Sequence, residues 1–371
     1  MRNRSLILSP TFDVHAAAAV WGLRQMGFES IWSKSGSLAD SAVGAFSLYS
    51  DDDSDWLANG GLDSIQARSV WYRRARDPRH FPGSAACDNT FLREEWSLCQ
   101  RNVFALADDL SEALWINRPQ SARMTENKLV QLRAARRCGL RFPATLVSND
   151  PAEIHRFRAL HPRVIYKPFV MHSWVEEASS RGYIAHARIL EPDACIDDAS
   201  LELCPGIYQA YVDKVCDLRI TAIGDRLFPI RLGTNAGGAF VDWRSHVDCD
   251  EFRATPCDIP DAYAGKLKAL MAELGIVFGC IDVVLDKQGE LHFLEVNQGG
   301  QFLFAERWVQ SLPLLKAMCE MLACGRPDYA LDPACDISYQ AFRESDAYSQ
   351  WSEEAKESEA AEDTRSFVTY E

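Results

Sequence analysis

The chain has 371 residues, 47% of them hydrophobic, and a formal net charge of −14 at pH 7. This length and apolar content suffice for two or three domains with buried cores. The acidic balance argues against nucleic acid as a partner. The apolar run at residues 5–10 is too short for a secretory signal, and no stretch approaches the length of a membrane span.

Twelve cysteines are scattered along the chain, with no CxxC pair and no Cys/His cluster at zinc-like spacing. A chain of this length does not need disulfide bonds to stabilise its core. We therefore expect reduced, mostly structural cysteines in a cytoplasmic protein.

The first third of the sequence predicts alternating strands and helices. Residues 5–9 form an apolar strand, Asp13 is a helix cap, and a helix follows at 15–27. A second strand is predicted at 69–74 and a long helix at 90–115. This βα order favours a Rossmann-like N-terminal domain.

The middle of the sequence continues with mixed elements. We predict a basic amphipathic helix at 125–139, a strand within 142–150 and a helix at 151–160. A strand follows at 163–169. Residues 170–182 show neither the helical nor the strand spacing of apolar residues, so we predict a mobile loop there.

The last third predicts two β-hairpins, at 216–232 and 279–297, with a helix at 260–274 between them. A final helix is predicted at 305–324. The acidic segment 352–363 buries little apolar surface and is predicted to be disordered or marginally helical.

The stretch "ELHFLEVNQGGQF" (290–302) carries an acid and an amide two positions apart. Alternate residues of a strand share a face, so Glu295 and Asn297 are expected side by side, with Leu294 and Val296 on the other face. Side-chain oxygens of this kind are ligands for Mg²⁺.

Antiparallel pairing about the turn of the second hairpin brings Asp282 near Glu295 and Asn297, which gives a cluster with two carboxylates. Two lysines extend it. Lys167 lies in the apolar strand "VIYKPF", where an ammonium needs an anionic partner. Lys128 opens a helix. Each of these residues has a plainer alternative as a solvent-facing side chain, and the convergence of all of them favours a site that holds ATP phosphates and magnesium.

The order of these segments over about residues 120–325 resembles the ATP-grasp superfamily. The resemblance implies that Lys128 and Lys167 bind phosphates and that "YQAYV" (208–212) holds the adenine. It further implies the remaining ligands, which are Gln209, Tyr211 and Val212 for the nucleotide base, Asp217 for the ribose, and Asp282, Glu295 and Asn297 for Mg²⁺.

Further motifs resemble one branch of that superfamily, the microviridin or graspetide ligases that macrocyclise ribosomally made peptides. They are "VWYRR" (70–74), "NDP" (149–151), "YKPF" (166–169), "PGIYQAYVDKVCDLRITAIGD" (205–225), "DWR" (242–244) and "FLEVNQGGQFLFAE" (293–306). Two features depart from the family pattern, "GTNAGGAF" (233–240) and the acidic tail. The resemblance implies an α/β ATP-grasp fold behind the Rossmann-like domain.

The implied activity is that of an ATP-dependent peptide macrocyclase. ATP activates an Asp or Glu side chain of a precursor peptide as an acyl phosphate, and a Ser or Thr hydroxyl or a Lys amine then closes the ring. Arg219 and Arg244 are expected to bind the carboxylate or the transferring phosphate, with a structural salt bridge as their alternative. The expected cofactors are ATP and Mg²⁺. The expected partners are a precursor peptide with its leader and a second copy of the chain, with neither nucleic acid nor membrane.

Two other functions remain open at this point. One is a carboxylate–amine ligase acting on a free amino acid or small peptide, which predicts a compact closed pocket. The other is a non-catalytic ATP-binding regulator, which predicts losses among the lysines and metal ligands.

The expected domains are an N-terminal domain at 1–118, two ATP-grasp subdomains at 119–205 and 206–326, and the acidic, disordered tail at 327–371.

Residues 118–141 hold seven Lys or Arg and one acid, so they are either a solvated face or a docking surface for an acidic peptide. The tail carries hydroxyls among carboxylates. We expect a solubilising segment rather than a fused substrate.

Overall fold

The structure is a computed structural model that describes residues 4–39, 44–60, 67–75, 81, 84–106, 112–169, 173–176, 181–184, 187–191, 196–234 and 242–366. Parts of the predicted loop at 170–182, most of 233–240 and the chain end at 367–371 lie outside the described residues. Within the described ranges, no helix is both long and apolar enough to cross a membrane.

The N-terminal region is built on a four-stranded parallel sheet in the order β2-β1-β5-β6. Its strands are β1 (Arg4–Leu8), β2 (Glu29–Ser33), β5 (Ser69–Tyr72) and β6 (Leu114–Ile116), and a separate hairpin is formed by β3 (Phe46–Asp51) and β4 (Ser54–Gly60). The helices are α1 (Val14–Gln25) and α2 (Ala86–Ala105). The predicted cap is confirmed, because the Asp13 side chain accepts a hydrogen bond from the His15 amide.

The prediction of a long helix at 90–115 was wrong at its C-terminal end. Helix α2 stops at Ala105, and Leu114–Ile116 forms β6 beside β5. Trp115 and Ile116 are both buried, one on each face of the sheet. Pairing with a neighbouring strand therefore overrides the helical spacing of the apolar residues.

The middle sheet is antiparallel, in the order β11-β8-β12-β7. Its strands are β7 (Thr145–Ser148), β8 (Val164–Lys167), β11 (Arg188–Leu190) and β12 (Gly206–Ala210). Helices α5 (Pro151–Leu160) and α6 (Asp198–Leu203) accompany it, and its small core centres on Ile154, Val164 and Tyr208.

Of two predictions for the middle region, one is confirmed and one was wrong. The helix predicted at 125–139 is α4 (Lys128–Arg137), and a separate short helix, α3 (Pro119–Thr125), precedes it. The predicted loop contains a β-hairpin made of β9 (Ser173–Glu176) and β10 (Arg181–Ile184). Main-chain pairing forms this hairpin, and the sequence pattern carried no strand period to indicate it.

The C-terminal sheet has five antiparallel strands in the order β15-β14-β13-β16-β17. They are β13 (Lys214–Ile223), β14 (Arg226–Thr234), β15 (Phe252–Pro256), β16 (Phe278–Asp286) and β17 (Leu291–Asn297), with α7 (Asp261–Leu274) packed on one face. Both predicted hairpins are confirmed. The face that packs on α7 carries Leu218, Ile220 and Ile281, whereas Asp217 and Arg219 lie on the opposite face.

Four helices complete the described chain: α8 (Leu303–Trp308), α9 (Leu314–Cys324), α10 (Tyr339–Arg343) and α11 (Asp346–Ser366). The single helix predicted at 305–324 is interrupted before Pro313. Helix α11 spans the whole segment 352–363 that was expected to be disordered or marginally helical. The wider tail at 327–371 was also expected to be disordered, and this was wrong for its first part, because Tyr329 and Phe342 are buried in the core. Trp351 anchors α11, because its indole N–H donates to the Thr11 carbonyl at 2.7 Å, and Ala355 is buried.

Candidate active site

A cleft of about 270 Å³ lies between the middle and C-terminal sheets. Ten of the eleven site residues predicted from sequence line it: Lys128, Lys167, Gln209, Tyr211, Val212, Asp217, Arg244, Asp282, Glu295 and Asn297. The eleventh, Arg219, lies behind Asp282 and contacts it. The structure therefore brings the predicted residues together in one place.

Strand pairing aligns the three predicted metal ligands. Asp282 on β16 lies directly opposite Glu295 on β17, and Cys280 lies opposite Asn297. The turn after β17 also orients Asn297, because its side-chain oxygen accepts a hydrogen bond from the Gly299 amide at 3.1 Å. The two carboxylates and the amide consequently lie at one end of the hairpin, on its cleft side.

A β-bulge in β17 corrects one part of the sequence prediction. The ladder pairs Asp282 with Glu295 but Val283 with Phe293, so Leu294 is an extra residue. Leu294 therefore lines the cleft instead of joining Val296 on the opposite face. Phe293, which a regular strand would put beside Glu295, is fully buried in the core under α7.

Asp282 is held by two arginines. Arg219, buried on β13, donates from Nη1 to both oxygens of Asp282 at 2.9 and 3.0 Å. Arg244 donates from Nη2 to Asp282 Oδ2 at 2.6 Å and to Glu295 Oε1 at 3.2 Å. The salt-bridge alternative for the two arginines is thus present, and it places both guanidinium groups against the predicted metal ligands.

Lys128 reaches the same carboxylates from the first turn of α4. Its Nζ lies 2.5 Å from Glu295 Oε2. Burial alone raises the pKa of Glu295, but Lys128 and Arg244 outweigh that effect and lower the pKa to about 2. Glu295 is therefore a carboxylate throughout the physiological pH range.

Lys167 ends β8 and faces the cleft. Its Nζ donates to Gln209 Oε1 at 2.7 Å, and the Gln209 amide donates to Thr145 Oγ1 at 3.0 Å. Burial lowers the pKa of the Lys167 ammonium, and Glu295 partly compensates by raising it. This ammonium is largely shielded from solvent and its hydrogen bond goes to the neutral Gln209 amide, so an anion in the cleft would stabilise it.

Asp217 lies at the far end of the cleft and binds a residue that the sequence analysis missed. Lys214 Nζ lies 2.7 Å from both Asp217 oxygens, and both side chains are buried. Burial raises the pKa of Asp217 to about 6, against the opposing effect of Lys214. The only sequence signal for Lys214 was its position three residues before Asp217.

Two further contributors were missed. Asp242 caps the short 3₁₀-helix Trp243–His246, accepting from the Arg244 amide at 3.0 Å, and so fixes the start of the segment that carries Arg244. Asn117 is buried and binds the backbone of Phe278 and Gln298, which ties the N-terminal sheet to the site. Nothing in the local sequence distinguishes Asn117 from a surface loop residue.

The donor set fits a hard divalent cation. Two carboxylates and an amide offer oxygen atoms only, as Mg²⁺ prefers. Across the described ranges, no cluster of three or more His, Cys, Asp or Glu side chains is arranged to hold a metal ion. A cation bound between Asp282 and Glu295 would therefore need oxygens from a bound phosphate or from water to complete its coordination, which is usual for Mg²⁺.

Comparison of the sequence with protein-family models and with curated proteins gives no match. Comparison of the structure with solved protein structures gives several matches. The macrocyclase MdnC bound with precursor peptide MdnA, from Microcystis aeruginosa MRC, is 21% identical over 86% of this chain and 99% of that chain, with a TM-score of 0.67.

A RiPP-associated ATP-grasp ligase from Chryseobacterium gregarium, in complex with ADP and a leader and core peptide, has a TM-score of 0.71 at 20% identity, over 89% of this chain and 100% of that one. The ATP-grasp ligase PsnB, complexed with a minimal precursor variant, Mg and ADP, has a TM-score of 0.65 at 20% identity, over 87% and 98% of the two chains. At these identities the likeness establishes the fold, and the chain therefore has the ATP-grasp fold predicted from its sequence.

Proposed function

We propose that the chain is an ATP-dependent peptide macrocyclase. In this proposal it activates Asp or Glu side chains of a ribosomally made precursor peptide and joins them to Ser or Thr hydroxyls or to Lys amines. The observation that carries it is the cleft in which Lys128, Arg244 and Lys167 converge on the Asp282–Glu295 pair. The solved structures of the same fold that bind precursor peptides support the substrate class.

The arrangement of charges suits a phosphorylated nucleotide. Lys128 and Arg244 neutralise Glu295 in the structure described here, and both are long side chains that can turn towards phosphate oxygens. Lys167 adds a third cation at the end of β8. We assign Lys128 and Lys167 to the phosphates of ATP.

The nucleoside half of ATP is assigned to the other end of the cleft. Gln209, Tyr211 and Val212 lie where β12 leaves the middle sheet and line this part of the cleft, and we assign them to the adenine ring. Asp217 lies beyond them and is assigned to the ribose, with Lys214 fixing its carboxylate.

Asp282, Glu295 and Asn297 are assigned to Mg²⁺, on the fit described above. When bound, the ion would neutralise charge on the phosphoryl group during its transfer. Arg219 holds the Asp282 carboxylate in place by its two hydrogen bonds. Arg244, which is partly exposed in the cleft, is assigned to the substrate carboxylate or to the transferring phosphoryl group.

The peptide is assigned to a second cleft of about 410 Å³, which shares Asn297 with the first. Arg74 and Arg123 line it, as does Gln298 from the turn after β17. Of the basic residues at 118–141, Arg123 faces this cleft, whereas Arg137 pairs with an acid of α7 at the surface. An acidic peptide would find cations in the second cleft and a path to the phosphates past Asn297.

The proposed chemistry has two steps. A phosphoryl group passes from ATP to a carboxylate oxygen of the peptide, and ADP leaves. A hydroxyl or amine of the same peptide then attacks the activated carbonyl carbon and loses its proton, and phosphate leaves. Each ring therefore forms with the net loss of one water from the peptide. The chain contributes positioning of the reactants and a cleft whose charges stabilise the transferring phosphoryl group.

A carboxylate–amine ligase for a free amino acid or small peptide remains the second candidate. The two clefts meet at Asn297 and give a longer, more open space than a single small substrate needs. A non-catalytic regulator is the third candidate. The full set of cations and oxygen ligands in the cleft favours catalysis over it.

A direct test uses the full chain with ATP and Mg²⁺ and two substrate panels, acidic peptides containing Ser, Thr and Lys, and free amino acids. We expect ADP release with the peptides and loss of one water per ring by intact-mass spectrometry, with fragmentation locating the new bond. The matched control is the Arg244→Met variant, which lacks the arginine assigned to the substrate carboxylate or to the transferring phosphoryl group. Turnover with free amino acids alone would favour the second candidate, and ATP binding without turnover of either panel would favour the third.

A homodimer and a cytoplasmic location complete the proposal. Phe91 and Leu98 lie seven residues apart on α2, so they share a face, and both are largely exposed. The cysteines in the described part of the chain are all free, as expected in a reducing compartment. Light scattering of the wild type and of a Phe91→Asp/Leu98→Asp variant tests the dimer, and an unchanged mass would refute this interface.

A further inference from the structure

We infer that Arg73, in the N-terminal region, is a positioning residue for Asn297 and sets the geometry of the proposed metal site from outside it. The inference rests on the proposed function, because it assigns Asn297 to Mg²⁺. Arg73 borders the second cleft and does not line the nucleotide cleft, and it acts on Asn297 through the turn at residues 297–301 that follows β17.

The link between Arg73 and Asn297 consists of two successive sets of hydrogen bonds. Arg73 Nη1 donates to the Gly300 carbonyl at 3.2 Å and to the Gly299 carbonyl at 3.5 Å. The amides of these glycines face back: Gly299 N donates to Asn297 Oδ1 at 3.1 Å, and Gly300 N donates to Asn297 O at 3.2 Å. One peptide group belongs to both sets: the Gly299–Gly300 peptide accepts from Arg73 and donates to the main-chain carbonyl of Asn297. The preceding peptide, which contains Gly299 N, orients the Asn297 side-chain amide, so Arg73 acts on that amide through the adjoining peptide group.

Arg73 itself has little freedom. Its side chain is fully buried, and its Nε donates to Asp13 Oδ2 at 2.6 Å. Asp13 is fixed in turn as the N-cap of α1 and by the Ser9 hydroxyl at 2.6 Å. The guanidinium also lies against the ring of Trp71, with 5.2 Å to its centroid. The turn is thus anchored to the rigid start of α1.

The turn at residues 297–301 is also held by contacts with the C-terminal sheet. A Cβ on Gly300 would lie 2.8 Å from Cys280 Cβ, so the backbone already touches β16. Arg219 Nη2 donates to the Gln301 carbonyl at 3.2 Å from the C-terminal sheet. Two buried arginines therefore hold the same short turn, Arg73 just after β5 and Arg219 on β13.

The chain offers a matched control for a purely structural role. Arg68 lies five residues before Arg73, and its Nη1 donates to the Ala323 carbonyl at 3.2 Å, at the end of α9. It joins the same N-terminal region to the C-terminal part of the chain but touches neither the turn nor a proposed ligand. Replacing Arg68 removes a comparable contact and leaves the route to Asn297 intact.

The test measures ADP binding to the full chain by calorimetry, in excess Mg²⁺ and in EDTA. The quantity compared is the gain in affinity on adding Mg²⁺. Changes in residues that orient a metal ligand typically cost about 10–100-fold in metal affinity or activity. We therefore expect Arg73→Met to lower the Mg²⁺-dependent gain about 10-fold, while ADP affinity in EDTA stays within about twofold of wild type. Arg73→Lys should recover part of the gain, and Arg68→Met should keep all of it.

Arg73→Met leaves Asp13 buried without its partner and can lower the folded fraction. Asp13→Asn provides the second variant, because it keeps the cap acceptor while weakening the grip on Arg73. A full Mg²⁺-dependent gain in either folded variant overturns the inference and leaves the proposed function standing. An equal loss of the gain in Arg68→Met also overturns it. A wild-type chain with no Mg²⁺-dependent gain overturns the metal assignment and, with it, the proposed function.

Discussion

Replacing Trp351 with alanine is expected to destabilise the protein, although this residue lies far along the chain from the active-site cleft. Its indole N–H donates to the Thr11 carbonyl at 2.7 Å. Its ring contacts Tyr348, with centroids 5.5 Å apart, and Phe342, with centroids 6.5 Å apart. Phe342 is fully buried in the core that also contains α1. The substitution therefore removes the main attachment of α11.

The size of the effect follows from these contacts. Truncating a fully buried Trp costs about 3–5 kcal/mol. Trp351 is only partly buried, so we expect about 3 kcal/mol. About 1 kcal/mol of that belongs to the hydrogen bond, and Trp351→Phe should lose only that share. Since 1 kcal/mol shifts the midpoint of a domain of 150–250 residues by about 2–4 °C, Trp351→Ala should melt about 6–12 °C below wild type.

Differential scanning calorimetry measures this shift, and Lys34→Ala is the control. Lys34 also joins α11, through Glu354, but both side chains are roughly half exposed. Exposed pairs contribute about 0–1 kcal/mol, so this variant should melt close to wild type. A Trp351→Ala variant that melts with the Lys34→Ala control would show that α11 is not docked and would refute the reasoning.

Three further predictions concern charged groups. Lys167→Met should reduce ATP-dependent turnover by about 100-fold or more while circular dichroism stays unchanged, because the phosphates lose a cation; undiminished turnover would contradict the assignment. Glu295→Gln should lose activity that excess Mg²⁺ restores only partly, and full wild-type activity after chelation would count against the metal site. Burial raises the pKa of Glu306 to about 7 against the amides of Leu315 and Tyr339. The folded state therefore keeps a proton that the unfolded chain releases, and stability should fall as pH rises from about 5 to 8. Glu306→Gln should flatten that slope in thermal melts, and an unchanged slope would refute the assignment.

The residues proposed to bind metal were predictable because they lie on a hairpin with a strong local pattern. The turn at Gly289, where φ is positive, brings the strands of this hairpin together. The bulge at Leu294 then puts Glu295 opposite Asp282. Lys167 stood out because a charged residue in an apolar strand needs a partner. Local chemistry and strand period singled out Lys128, Lys167, Asp282, Glu295 and Asn297, whereas the other cleft residues were implied by the resemblance to ATP-grasp ligases.

The features that were missed depend on contacts distant in sequence. The bulge at Leu294 changes which residues of β17 face the core, and a period-2 pattern cannot show where an extra residue is inserted. Asn117 acts through the backbone of β16, more than 150 positions away. The docking of α11 through Trp351 was not predicted, because the helix is acidic in composition and one aromatic side chain gives little sign of packing in an otherwise polar segment.

The two faces of β13 make the candidate active site depend on the correct register of the C-terminal sheet. Leu218 and Ile220 pack under α7, and Asp217 and Arg219 alternate with them on the cleft side. A slip of one residue in the pairing of β13 would turn both charged groups into the apolar core and both apolar residues out of it. A chain with this register would be too unstable to stay folded, so it would not bind nucleotide in a misaligned site. Partly active, misregistered molecules should therefore not accumulate, and a preparation that is folded should be uniformly competent.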